Sequence, residues 1–114
     1  MVLRAGARLI EGTFGALADP SRRGVVELLR RTPRRAGDLA QALDLSPPAM
    51  SRHLRVLRQS GLIEAITDDA DARAKVYRLK REKFTELRAW LDDVEQLWTV
   101  QLSAFKAYSE RKKR

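Results

Sequence analysis

Polar side chains that could bind DNA recur at helical spacing between residues 47 and 60. At about 100° per residue, one face of a helix there carries two arginines, a serine, an amide and a proline. These residues are Pro48, Ser51, Arg52, Arg55 and Gln59. Arginine pairs in bidentate fashion with guanine, and serine and glutamine bind phosphates or base edges. For an isolated helix, ordinary solvated arginines are the simpler interpretation. Whether the helix binds DNA therefore has to be judged from the neighbouring elements.

Those neighbouring elements favour a DNA-reading helix. The opposite face of the helix is apolar and predicted to be buried, with Met50, Leu54 and Leu57. Ser46 is a typical N-cap residue, and Gly61 is typical of the left-handed residue that ends a helix. A shorter helix over residues 36–43 precedes it after about three residues, which is typical of a helix-turn-helix whose second helix enters the major groove.

The remaining patterns predict a mainly α fold with one small β-hairpin. Apolar spacing predicts helices over residues 9–18 and from Asp19–Pro20 to the break at Thr32–Pro33. Residues 62–66 and 75–79 are typical of two short strands around a polar loop. Residues 82–108 predict one long helix with a wide apolar stripe.

A chain of 114 residues allows one domain with a modest core. We expect residues 1–8 to lack regular structure and residues 9–80 to form the DNA-binding part. Residues 81–110 are then a dimerisation helix of the same domain, and residues 111–114 are a basic tail.

The long final helix is predicted to bury its stripe against a second copy of the chain. The expected dimer interface combines this stripe with two residues of the first helix. It consists of Ile10, Phe14, Phe84, Leu87, Leu91, Val94, Trp98 and Phe105. Trp90 and Trp98 could instead line a ligand pocket, but their helical spacing within the stripe favours packing.

Composition restricts the function further. The formal charge is +8, and residues 20–60 hold nine arginines against three carboxylates, which favours nucleic acid as a partner. The absence of cysteine excludes disulfides and thiolate metal sites and fits a reducing cytoplasm. With a single histidine the usual nucleophile–base pairs cannot form, so we expect no enzyme, cofactor or metal. No apolar run reaches bilayer length and no secretory signal is recognisable, so no membrane partner is expected.

Other basic residues have two interpretations each. His53 lies at the edge of the buried face, where a hydrogen-bonded structural role is favoured over a contact with the DNA backbone. Four further arginines near helix starts could bind phosphates or simply be solvated. They are Arg22, Arg23, Arg34 and Arg35. Each phosphate contact would add salt-dependent affinity.

Several segments, in order along residues 9–79, resemble winged-helix regulators of the ArsR type. They are FGALADPSRR (14–23), VELL (26–29), DLA (38–40), LSPPAMSRHLRVL (45–57), QSGLI (59–63) and VYRL (76–79). The long last helix is similar to the dimerisation helix of that family.

The resemblance implies a winged helix-turn-helix protein that binds a pseudo-palindromic operator as a symmetric dimer and represses transcription. It places Pro48, Ala49, Ser51, Arg52 and Arg55 at major-groove positions. It places Arg73 and Lys75 on the wing, which in the family touches phosphate or the minor groove. Ser46 and Gln59 complete the expected set of DNA contacts.

Two features depart from the family pattern. Cysteine is absent and the last helix has no histidine, so metal sensing is not carried over and the inducing signal stays open. The loop between the strands holds Asp68, Asp69 and Asp71, which would repel phosphate. Either the tip of the wing points away from DNA, or the wing contributes little beyond Arg73 and Lys75.

A sequence-specific repressor is therefore the leading hypothesis. The alternative is a protein-interaction module, antitoxin-like or adaptor, that uses the same scaffold and the apolar final helix. A homodimer with the stripe buried would count against that alternative. A role at a membrane surface ranks third, because the polar face of the final helix carries Asp92, Asp93 and Glu95 instead of basic residues.

Overall fold

A computed structural model describes the backbone of residues 2–112 and the side chains of residues 10–112. Within that part, five helices and three strands follow one another along the chain. They are α1 (Val2–Leu17), α2 (Pro20–Leu29), β1 (Arg34–Arg35), α3 (Ala36–Ala42), α4 (Pro47–Gln59), β2 (Ile63–Thr67), β3 (Lys75–Leu79) and α5 (Arg81–Lys112). The chain divides into two compact units, Met1–Phe84 and Thr85–Arg114. The predicted mainly α fold with a small hairpin is confirmed.

The two terminal helices are longer than predicted. Helix α1 begins at Val2 and so extends into the residues that we expected to lack regular structure. That stretch holds two alanines, two arginines and a leucine, whose helix propensity is high even without an apolar period. Helix α5 continues through Arg111 and Lys112 of the predicted tail, where basic side chains suit a helix C-terminus. Met1, Lys113 and Arg114 lie outside the described residues.

The sheet contains a strand that the sequence did not predict. Its order is β1-β3-β2, and β1 pairs antiparallel with β3, with Arg34 opposite Tyr77 and Arg35 opposite Val76. A two-residue strand has no periodicity of its own. It pairs because the chain entering α3 runs along the free edge of β3, which would otherwise present unpaired backbone groups.

The predicted hairpin of β2 and β3 is confirmed. Its antiparallel register sets Ile63 opposite Leu79 and Thr67 opposite Lys75. Glu64 lies opposite Arg78, whose Nε donates to Glu64 Oε1 at 2.6 Å. Opposite charges at directly facing positions favour this register over a slipped one.

The core of the unit Met1–Phe84 is built mainly by α2, α3, α4 and the start of β2. Its buried apolar residues are Ala16, Val25, Leu29, Leu39, Ala40, Met50, Leu54, Leu57, Leu62 and Ile63. Met50, Leu54 and Leu57 are the three residues of α4 predicted to face inward, and each is at most 3% exposed. Their burial fixes which face of α4 remains on the surface.

Helices α3 and α4 end in the same way, with a left-handed residue. At Gly61 (φ 76°), the amides of Gly61 and Leu62 donate to the carbonyls of Arg58 and Leu57 at 3.0 Å. This is the Schellman arrangement, and it confirms the predicted stop at Gly61. In the turn between the two helices, Asp44 takes the corresponding position with φ 54°. Aspartate tolerates this conformation better than most residues, because its short side chain can hydrogen-bond locally.

The unit Thr85–Arg114 consists of the greater part of α5, and no described residue of α5 is buried. Most of its large apolar side chains are instead exposed. They are Trp90, Leu91, Val94, Leu97, Trp98, Val100, Leu102, Phe105 and Tyr108. Within residues 2–112, no helix combines the length and apolarity that crossing a membrane would require.

Candidate nucleic-acid interface

Helix α4 is held at both ends and along its apolar face. Ser46 is the N-cap, and its Oγ accepts a hydrogen bond from the backbone amide of Ala49 at 3.3 Å. Prolines occupy the first turn, where their missing amide hydrogens cost no helical bond. Capping, the C-terminal turn at Gly61 and burial of the inner face give the outer face a fixed orientation.

The outer face of α4 carries the side chains predicted to read DNA. Pro48, Ser51, Arg52, Arg55 and Gln59 are all exposed. Ala49 is half-buried, so less of its surface is available than predicted. Among residues 10–112, the side chains of Arg52 and Arg55 make no ion pair or hydrogen bond, although several other arginines do. Their guanidinium groups are therefore available for an external anion or base.

Arg22 connects α4 to the end of α1. Its Nε donates to the carbonyl of Ala16 at 2.7 Å, and its Nη2 donates to the carbonyl of Gly15 at 3.2 Å. Its Nη1 lies 3.3 Å from Nδ1 of His53 on α4. A guanidinium has only donors, so His53 Nδ1 is the acceptor in a hydrogen bond between these two atoms. The structure thus supports the hydrogen-bonded role of His53.

The start of α2 is stabilised by Asp19, as predicted. Its carboxylate accepts from the amides of Ser21 at 2.8 Å and Arg22 at 3.1 Å. The bond from the Arg22 amide is the main reason that the pKa of Asp19 lies below its ordinary value. Arg23 Nη1 donates to the carbonyl of Leu17 at 2.8 Å. Arg22 and Arg23 thus satisfy carbonyls at the end of α1, a role that the sequence analysis did not predict.

The wing is the loop of residues 68–74 between β2 and β3. Arg35 donates from Nη2 to Asp68 Oδ2 at 2.5 Å. This bond, followed by one from the Ala70 amide, lowers the pKa of Asp68, and the same ion pair raises the pKa of Arg35. Asp71 Oδ1 accepts from the Arg73 amide at 3.0 Å. Two of the three aspartates that we expected to repel phosphate are therefore engaged within the protein.

The remaining predicted wing contacts lie at the end of the hairpin. Arg73 is exposed in the loop, and Lys75 is exposed at the first position of β3, opposite Thr67. They belong to a different segment from the outer face of α4. If the wing and α4 both contacted DNA, the protein would be held on the DNA at two separate points.

Among the described side chains, no group of three or more histidine, aspartate or glutamate residues could hold a metal ion.

The family model described as "Bacterial regulatory protein, arsR family" matches residues 19–65. An HTH-type transcriptional regulator of Mycobacterium tuberculosis is 37% identical over 90 residues, which cover 79% of this chain and 78% of that protein. The chain belongs to the ArsR family. The transcriptional repressor SdpR of Bacillus subtilis is 30% identical over 82 residues, 72% of this chain and 88% of that repressor. Because these relatives are transcriptional regulators, the expectation that the chain is no enzyme is confirmed.

A solved structure of a protein described as a possible ArsR-family transcriptional regulator has the same fold. It is the homodimeric winged helix-turn-helix DNA-binding domain of a Mycobacterium bovis protein, residues 1–100, solved by NMR in solution. The TM-score is 0.65 at 25% identity, over 82% of this chain and 83% of that domain. In the terms of this fold, α3 and α4 are the helix pair and the β2–β3 loop is the wing. The winged helix-turn-helix prediction is confirmed.

The residues predicted for an ArsR-type dimer interface are exposed to different degrees. Most of the α5 residues are strongly exposed, with Leu91 at 49%, Val94 at 47%, Trp98 at 59% and Phe105 at 70%. Ile10 and Leu87 are half-buried, and Phe14 is 42% exposed. Phe84 packs partly against the core of its own unit, which leaves only part of this side chain for a partner.

Sequence reasoning missed the roles of the arginines at β1. Arg35 pairs with a carboxylate 33 positions away, and no local pattern indicates that partner. Arg34 is half-buried, and within the described residues its buried Nε has no hydrogen-bond partner. In the sequence, Arg34 and Arg35 are one of three adjacent arginine pairs, and their place directly before α3 fits a phosphate contact equally well.

Proposed function

We propose that this ArsR-family chain is a sequence-specific transcriptional repressor that binds a pseudo-palindromic operator as a homodimer in the cytoplasm. The observation that carries the proposal is the outer face of α4, where Arg52 and Arg55 are exposed and without partners in the described part of the chain. Arginine that is free to approach the major groove can pair with guanine O6 and N7. Ser51 and Gln59 on the same face add groups for bases or phosphates.

The homodimer is supported by the exposed apolar residues of α5 and by the homodimeric domain from Mycobacterium bovis. A two-fold symmetric pair would present two copies of α4 to successive major grooves, about 34–36 Å apart. The operator is then expected to be an inverted repeat. Repression is supported by the relative SdpR, which is a transcriptional repressor.

The remaining predicted contacts extend the interface beyond α4. Ser46, Pro48 and Ala49 lie at the start of α4, which is the end that enters the groove in helix-turn-helix proteins. Arg73 and Lys75 on the wing would contact the phosphate backbone. The net charge of +8 supports such contacts, because each neutralised phosphate adds salt-dependent affinity.

The second candidate is a protein-interaction module whose partner covers the apolar residues of α5. The exposure of Trp98 and Phe105 favours it as much as it favours a homodimer. Sedimentation of the purified chain distinguishes the two. A homodimer that is stable at micromolar concentration supports the repressor, and a monomer supports the interaction module.

The decisive test compares specific with non-specific DNA. Selection of fragmented genomic DNA on the purified protein at physiological salt first supplies the operator. Arg52→Ala is then expected to weaken operator binding by about 1–3 kcal/mol, with a much smaller effect on random DNA, because a base contact is lost.

Arg88→Ala is the matched control. It removes the same charge from α5, where Arg88 is 81% exposed, and should leave the discrimination between operator and random DNA unchanged. Equal losses on both DNAs for Arg52→Ala would make Arg52 a phosphate contact. Retention of all genomic fragments alike would overturn the proposal of a sequence-specific regulator.

A further inference from the structure

An ion pair links the start of the wing to the residue before α3. Arg35 donates to Asp68 Oδ2 from Nη2 at 2.5 Å and from Nε at 3.1 Å. Asp68 directly follows β2, whereas Arg35 belongs to β1 and is the N-cap residue of α3. Since β3 lies between β1 and β2, this contact spans the width of the sheet.

The same aspartate also shapes the wing loop from inside. Its Oδ1 accepts from the Ala70 amide at 2.9 Å, and its own amide donates to the Ala74 carbonyl at 3.0 Å. Further along the loop, the Asp71 carboxylate accepts from the Arg73 amide. Asp68 is therefore bonded to the loop through one carboxylate oxygen and to the helix-turn-helix through the other.

We infer that Asp68 is a positioning residue for DNA binding, which through Arg35 holds the wing where Arg73 and Lys75 meet the phosphate backbone. This inference rests on the proposed DNA-binding function. A carboxylate near DNA ordinarily weakens binding by repulsion, but the Arg35 guanidinium compensates the charge of Asp68. Removing the charge of Asp68 would therefore release the loop. It would relieve less repulsion from the DNA phosphates than removing the charge of an unpaired aspartate.

Asp69 provides a matched control inside the same loop. It is the next residue, it carries the same charge and it is exposed. Among the described residues, its side chain makes no hydrogen bond or ion pair. If the acidic loop acted only through its net charge, Asp68→Asn and Asp69→Asn would raise the affinity for DNA alike. The positioning role predicts that Asp68→Asn weakens binding and that Asp69→Asn does not.

The experiment measures the affinity of each variant for the selected operator over a range of salt concentrations. Asp68→Asn keeps an acceptor for the Ala70 amide but loses the ion pair, and it is expected to weaken binding about two- to fivefold. The slope of log K against log salt should also fall, by about 0.9 for each wing phosphate contact that is lost. Asp69→Asn is expected to bind as tightly as the unaltered chain or more tightly.

A double-mutant cycle then separates a positioning role of Arg35 from a direct contact with DNA. If Arg35 acts through Asp68, Arg35→Gln has no further effect in the Asp68→Asn background. Additive losses would overturn the inference. The pair is partly exposed, at 47% for Arg35 and 21% for Asp68, so the variants should remain folded, and their melting temperatures verify this.

The two proposals fail in different ways. If the unaltered chain binds the operator specifically but both asparagine variants gain affinity equally, the inference is wrong and the proposed function stands. If the unaltered chain does not prefer any sequence, the proposed function is wrong and this inference falls with it.

Discussion

Helices α4 and α5 each have one apolar face, and only the face of α4 is covered within the described chain. In α4, Met50, Leu54 and Leu57 are at most 3% exposed. In α5, Trp98 is 59% and Phe105 is 70% exposed. Apolar spacing thus shows that a helix needs a partner surface, but it does not show whether that surface belongs to the same chain.

The difference also separates two kinds of stability. Burial in the unit Met1–Phe84 comes from contacts within one chain, so its contribution does not depend on protein concentration. For α5, a partner chain would have to supply the burial, and its contribution would then follow mass action. Substitutions in the two helices should therefore respond differently to dilution.

The largest expected effect is that of Leu57→Ala in α4. Leu57 is fully buried, so its truncation loses apolar burial and leaves a cavity. We expect the free energy of unfolding to fall by about 2–5 kcal/mol at every protein concentration. Chemical denaturation at two concentrations measures this. Leu91→Ala in α5, where Leu91 is 49% exposed, is the matched substitution, and its effect should vanish on dilution. If both substitutions lowered the free energy of unfolding equally and at every protein concentration, the apolar face of α5 would not depend on a partner chain.

The next effect concerns Trp98→Ala, which tests what covers α5. Large aromatic residues dominate the energy of protein interfaces, so dimerisation should weaken by about 2 kcal/mol, or about thirtyfold in Kd. Analytical ultracentrifugation of a dilution series gives this constant. Gln96→Ala, an exposed polar position on the same helix, should leave it unchanged. An unaltered dimerisation constant for Trp98→Ala would remove this residue from the interface.

The smallest effect is expected at Asp19, the N-cap of α2. Asp19→Ala removes the acceptor of two amides and should lower the melting temperature at pH 7 by about 5 °C, whatever the protein concentration. The folded pKa of Asp19 is depressed, so its stabilising effect is fully present above about pH 4 and disappears as the pH falls through the lower folded pKa. Melting at pH 7 and at lower pH values tests this.

Asp19→Asn is the control for that prediction. Asparagine keeps the capping acceptor but does not titrate, so this variant should melt near the unaltered chain at pH 7. Its difference from Asp19→Ala should also stay constant as the pH falls. A destabilisation of Asp19→Ala that persists undiminished at low pH would show that the ionised carboxylate is not what stabilises α2.

Most of the candidate site could be predicted because its signals are local. Met50, Leu54 and Leu57 recur with the helical period, which by itself places Arg52 and Arg55 on the outer face. What could not be predicted is the partner of each remaining arginine. A guanidinium beside a helix start fits a phosphate, a carbonyl or a carboxylate equally well, and only the folded chain selects among them.

The sequence by itself determined the elements and their ends: the caps at Asp19 and Ser46, the left-handed stop at Gly61, the buried face of α4 and the strands of the hairpin. Each depends on the conformational preference or spacing of residues within a few positions of one another. The tertiary structure alone decided the strand β1, the contact of Arg22 with His53 and the ion pair of Arg35 with Asp68. These join residues that are far apart in sequence, and their side chains meet only because packing of the core brings their elements together.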